Sequence, residues 1–138
     1  MLAGAWAYVA LNRLRRELPQ RGISAVVVRP RLVLPSGMEG IRAVLRRRGA
    51  TCLERSLILQ RWLASQGHPT EVVIGVSAPG EEFAAHAWLA GYGFDPESLR
   101  YKELMRLPSP SGGGKPTIGS GAPQAAVRRR RRRRPLSH

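Results

Sequence analysis

The segment from Thr51 to Gly67 constrains this chain more than any other. Thr51-Cys52-Leu53-Glu54 has the capping-box spacing, a threonine at the N-cap and a glutamate three residues on. Leu53, Leu57, Ile58, Leu59, Trp62 and Leu63 then occupy most sides of the predicted helix, Gly67 ends it and Pro69 blocks its continuation. A helix apolar on most sides loses too much by facing water, so it belongs at the centre of the domain. Beyond it the apolar period changes from helical to alternating. Glu71–Val76 and Phe83–Ala90 read as strands, separated by the turn residues Ala78-Pro79-Gly80-Glu81 and followed by Gly91-Tyr92-Gly93.

The flanks complete the outline. An amphipathic opening helix is expected from Leu2 to Leu18, stopping before Pro19, and an extended segment over Ile23–Leu34, interrupted by Pro30. Ser36-Gly37-Met38-Glu39 repeats the capping-box spacing and opens a helix with Ile41, Val44 and Leu45 on one face, Arg46–Arg48 in its last turn and Gly49 beyond. Phe94-Asp95 is expected to start a short third strand, and Tyr101–Met105 to close the domain as a short helix. The result is an α+β domain over residues 1–107, its N-terminal helices packed on a short antiparallel meander that rests on the Cys52 helix.

Charge looks dominant but is unevenly placed. Of the formal +14, the seven arginines 128–134 and Lys115 contribute +8 beyond Pro108. That end of the chain, 108–138, is rich in Pro, Gly and Ser, contains no acid and reads as a disordered linker and tail. Seven arginines suit non-specific phosphate contacts, but no aromatic residue is interleaved to stack on bases, so no dedicated nucleic-acid role is expected. The longest apolar stretch, Met1–Leu11, falls short of the roughly 20 residues of a membrane-spanning helix. It is also a poor signal peptide, because its positive charges follow the apolar part. A reducing, cytoplasmic setting is the expectation. One cysteine excludes an intramolecular disulfide, and with three histidines it cannot fill a usual zinc site, so no cofactor or metal is expected.

Three residues carry chemical interest. Cys52 follows the predicted N-cap, where unpaired backbone N–H groups and the positive end of the helix dipole favour a thiolate. Taken alone it also fits a small buried hydrophobe. His86 lies mid-strand, on the face shared with Ala84 and Trp88, and reads as a satisfied core histidine, a ligand or a general base. Trp88 beside it reads as a cleft or a core aromatic. Asp95, the chain's only aspartate, precedes Pro96 and reads as a turn residue or as the acceptor that orients a histidine. His68 lies in a helix-ending turn and His138 in the tail. Nucleophile, base and acceptor in the order Cys, His, Asp form a set that could perform acyl chemistry.

Residues 51–76 and 84–96 carry a resemblance. Cys52-Leu53-Glu54-Arg55-Ser56-Leu57, Gly67-His68-Pro69, Ile74-Gly75-Val76 and Ala85-His86-Ala87-Trp88 resemble, in order and spacing, the transglutaminase-like cysteine protease family of lasso-peptide biosynthesis. The resemblance implies a small transglutaminase-like or papain-like fold and a Cys-His-Asp triad. Its cysteine falls on Cys52 and its histidine on His86, with Asp95 as the third member and Glu97 as the alternative acid. It also implies removal of a leader from a ribosomally made precursor peptide, a separate leader-binding protein that presents the substrate, and an asparagine-synthetase-like lasso cyclase acting afterwards. The same residues suit acyl transfer to an amine, or an inactive relative.

Overall fold

The computed structural model describes residues 2–22, 27, 30, 36–93, 95–110 and 117–118. Three helices, α1 (Leu2–Arg21), α2 (Met38–Arg47) and α3 (Cys52–Ser65), precede the strands β1 (Val72–Val76), β2 (Ala85–Leu89), β3 (Lys102–Leu107) and β4 (Thr117–Ile118). The domain is α+β, as the sequence predicts.

The buried positions of α1 are Ala3, Ala7, Ala10, Leu11 and Leu14, an apolar stripe at helical spacing. Small residues let α1 and α2 approach closely: a Cβ on Gly4 would stand 3.3 Å from Val44 Cγ2. The α1 stripe, Ile41 and Leu45 of α2, and Leu57, Ile58 and Trp62 of α3 share one core with Val72, Ala87, Leu89 and Leu107 from the sheet. Helix α3 is therefore central and packed on β2, the place its all-round apolar sequence requires.

The strands pair antiparallel in the order β2-β1-β3-β4. The chain departs from the expected meander here, because β3 pairs with β1 and leaves β2 at the edge. Tyr101–Met105 was expected as a helix but belongs to this strand region: pairing on β1 overrides the helix preference of Lys102-Glu103-Leu104-Met105. Asp95 does not start a strand. It caps a 3-10 helix, Pro96–Arg100, and Phe94 lies outside the described residues. The second strand is shorter than Phe83–Ala90, and Phe83 is 80% exposed.

Two helix ends differ as well. Helix α1 runs through Pro19 to Arg21 and ends at Gly22, whose φ is 56°. Proline so near the end removes one hydrogen bond in a turn that is closing anyway, so the helix passes it. Ser36 does not cap α2. Gly37 occupies the N-cap without a side-chain bond, held where a Cβ would meet Ala3 Cβ at 2.4 Å and Trp62 Cζ2 at 2.7 Å. Packing thus sets that helix start one residue later than the serine spacing suggests. Of the expected extended segment 23–34, only Val27 and Pro30 are described, and both are buried. Most of the expected tail lies outside the described residues. Within it, Thr117–Ile118 pair with Arg106 and Met105, extending the sheet past residue 107.

Candidate active site

The site starts from the cap of α3. Thr51 is extended backbone, its hydroxyl accepts the Glu54 N–H at 3.2 Å, and Glu54 Oε2 accepts the Thr51 N–H at 3.0 Å. The capping box predicted by the spacing is complete, and Cys52 is the first helical residue. A second tie fixes this end in space. Arg15 of α1 donates to both Glu54 oxygens, at 3.1 and 3.2 Å, and to the carbonyls of Arg48 and Gly49 at the end of α2. One guanidinium thus joins all three helices around the start of α3. Cys52 itself is half-buried and a free thiol.

One turn beyond Cys52, the buried Ser56 hydroxyl donates to the Ala87 carbonyl at 3.1 Å. The bonds from Ser77 N–H to Ala84 O and from Ala90 N–H to Glu71 O set the phase of the β1–β2 ladder. By alternation, Ala85, Ala87 and Leu89 turn their backbone groups toward the open edge of β2. Ser56 takes one of these carbonyls, next to His86. The cysteine helix is therefore fastened to the histidine strand at the residue adjoining the histidine.

His86 is 14% exposed at its side chain, and its Nε2 lies 2.7 Å from Asp95 Oδ2. Trp88 stacks on the imidazole at a centroid distance of 5.9 Å and Tyr101 at 5.1 Å. Gly75, opposite His86 on β1, makes room for both rings: a Cβ there would stand 2.9 Å from Trp88 Cη2 and from Tyr101 Cβ. The other Asp95 oxygen accepts the Glu97 N–H at 3.0 Å, and the Asp95 carbonyl accepts the Ser98 hydroxyl at 2.7 Å. Partial burial pushes the Asp95 carboxyl up. The hydrogen bonds from His86 and Glu97 outweigh that and hold it below its ordinary value.

Cys52, His86 and Asp95 line one cleft of about 300 Å³. The three sequence candidates are thus brought together. Glu97, the alternative acid, serves through its backbone N–H while its side chain is exposed. Trp88 lines the cleft, whereas His68 is exposed at the far end of α3. Tyr101, Gly75 and the cleft arginines Arg42, Arg46 and Arg55 were not singled out by sequence. Ser56 had a readable signal, four residues after Cys52 on the same helix face. No group of three or more His, Cys, Asp or Glu among the described residues could hold a metal ion. No described helix is long and apolar enough to cross a membrane.

With Asp95 on Nε2, the histidine nitrogen left for a thiol proton is Nδ1. The arrangement can generate a sulfur nucleophile, hold the base in one tautomer and return a proton to a leaving amine. No curated protein and no solved structure matches the chain. One family model does, over residues 5–100, and it describes the Transglutaminase-like superfamily.

Proposed function

This chain belongs to the transglutaminase-like superfamily, and from that premise we propose that it is a cysteine peptidase that removes the leader from a ribosomally made lasso precursor peptide. Membership supports cysteine protease or acyltransferase chemistry. The observation that carries the reading is the shared cleft, in which a thiol at a capped helix start accompanies a histidine bonded to a carboxylate. The narrower lasso assignment is supported by the Cys52–Leu57, Gly67–Pro69, Ile74–Val76 and Ala85–Trp88 motifs.

In this mechanism His86 Nδ1 takes the Cys52 proton as the sulfur attacks the carbonyl at the leader–core junction. The Cys52 backbone N–H, at the helix start, donates to the oxyanion. The C–N bond breaks as His86 returns the proton to the leaving amine, leaving a thioester. Water, deprotonated by the same imidazole, then cleaves the C–S bond and frees the leader as a carboxylate. Asp95 holds the imidazole in the productive tautomer throughout. As the resemblance of these motifs implies, a separate leader-binding protein presents the precursor and a lasso cyclase follows. The cytoplasm is the proposed setting.

Incubating the precursor and a leader-binding partner with the chain, followed by product mass, tests the reading. Hydrolysis adds one water to the cleaved leader, whereas acyl transfer adds the amine. The Cys52→Ala variant is expected to fold with Tm within a few degrees of the parent, since it removes one half-buried atom, and to lose all cleavage. Cleavage by the folded variant removes the proposal.

A further inference from the structure

We infer that the cleft selects a peptide carrying an acidic side chain beside the bond to be cut, and that Arg42, Arg46 and Arg55 are the residues that select it. The inference rests on the peptidase reading only for where the carboxylate falls relative to the scissile bond.

The arginines of α2 divide between two surfaces. Arg42 and Arg46, one turn apart, line the cleft. Arg47 instead lines a groove against α1, and Arg48 lies over the Tyr8 ring at 4.8 Å. Arg55, on the first turns of α3, joins Arg42 and Arg46 on the cleft wall. Three arginines therefore line the same cleft as the thiol, and the single acid among its described lining residues, Asp95, is engaged by His86.

Among the described residues, none of these three meets a carboxylate closer than 3.6 Å. Arg15, Arg13 and Arg106 each meet a glutamate at 2.7–3.1 Å. Among the described residues Arg42 has only Glu39, at 3.6 Å and 85% exposed, a pairing that competes poorly with an incoming anion. Among the described residues Arg55 donates only to the Ala50 carbonyl, at 3.5 Å. No ion pair joins Arg46 to a described residue. Cations that a fold does not neutralise, in a concave site with low-dielectric walls, focus a positive potential there. Guanidinium pairs match a carboxylate in geometry as well as charge. The remaining wall, Leu59, Ala87, Leu89, Trp88 and Tyr92, is apolar and aromatic and suits a peptide backbone and side chain. A cleft of about 300 Å³ sits at the small end for ligand sites, which keeps the acidic residue close to the cut bond.

The test uses the full chain and peptides blocked at both ends, identical except for Glu, Gln or Lys beside the scissile position, so that all variable charge is in one side chain. Binding is measured by fluorescence anisotropy on the Cys52→Ala protein, with and without Arg42→Gln, Arg46→Gln and Arg55→Gln. The Glu peptide is expected to bind about tenfold more tightly than the Gln peptide, and the three substitutions to erase that difference. The arginine run at 128–134 is present in every variant, so a preference that survives the substitutions belongs to the tail and overturns the inference. Equal binding of Glu and Gln peptides overturns it too. Should the triple variant fail to fold, the single substitutions of the exposed Arg42 and Arg46 each remove part of the preference. Cleavage by the unsubstituted chain separates the two ideas. Charge-selective binding without cleavage of any peptide keeps this inference and removes the peptidase reading. Cleavage indifferent to charge does the reverse.

Discussion

Asp95 divides one carboxylate between two tasks: Oδ1 caps the 3-10 helix through the Glu97 N–H, and Oδ2 meets His86. The turn and the orienting acceptor, rival readings in sequence, are one residue's two oxygens. Asp95→Ala removes both and is expected to lower kcat by roughly a hundredfold with a smaller change in KM. Asp95→Asn keeps an acceptor oxygen and is expected to fall between parent and alanine. The pH dependence follows from the depressed carboxyl. Its folded-state value lies below its unfolded one, so at acid pH the unfolded chain binds the extra proton and stability rises with pH. The contribution is complete above the ordinary aspartate value of about 3.9 and is lost as pH falls through the lower folded value. Melting curves between about pH 6 and 3 should show the parent and Asp95→Ala converging at the acid end. A gap that widens there contradicts the assignment.

At the scale of elements, what holds the site is the meeting of α3 with β2, made by the Ser56 hydroxyl on Ala87 and the Arg15–Glu54 tie behind the cap. Gly75 is the counterpart in the sheet, because only hydrogen fits beneath Trp88 and Tyr101. Gly75→Ala forces a Cβ to 3.0 Å from the Lys102 carbonyl as well, and overpacking of this kind costs about 1–3 kcal/mol. A drop in Tm of roughly 5–15 °C is expected, with kcat reduced because the rings that flank His86 must move. Local signals made α3 readable: its cap, its apolar residues and Gly67 all lie within one stretch. Strand β3 was not readable, since Lys102-Glu103-Leu104-Met105 favours a helix and becomes a strand only beside β1. Ser36 misled for the same kind of reason, a local spacing overruled by the packing of Gly37 against Ala3 and Trp62.

For the molecule as a whole, sequence supplied the three candidate residues and their order, but not that they meet. Cys52 and His86 are separated by β1 and two turns, and only the antiparallel return of β2 across α3 brings them to one cleft. The Arg-lined wall was hidden by the same distance, since Arg46 reads locally as part of a basic last turn and nothing local marks Arg42. All the residues assigned to the chemistry lie before residue 100, while more than half of the net charge lies beyond 108. Removing residues 119–138, which leaves Thr117–Ile118 paired with β3, is therefore expected to keep kcat and Tm near those of the full chain.

The central claim is that Cys52 and His86 act as one unit on a peptide bond. It is tested most directly by the rate of precursor cleavage in Cys52→Ala, His86→Ala and the double variant. Groups that act in one step are non-additive. The double variant should be no slower than the slower single variant, with both singles near the uncatalysed rate. Losses that multiply, or measurable cleavage by Cys52→Ala, contradict the account.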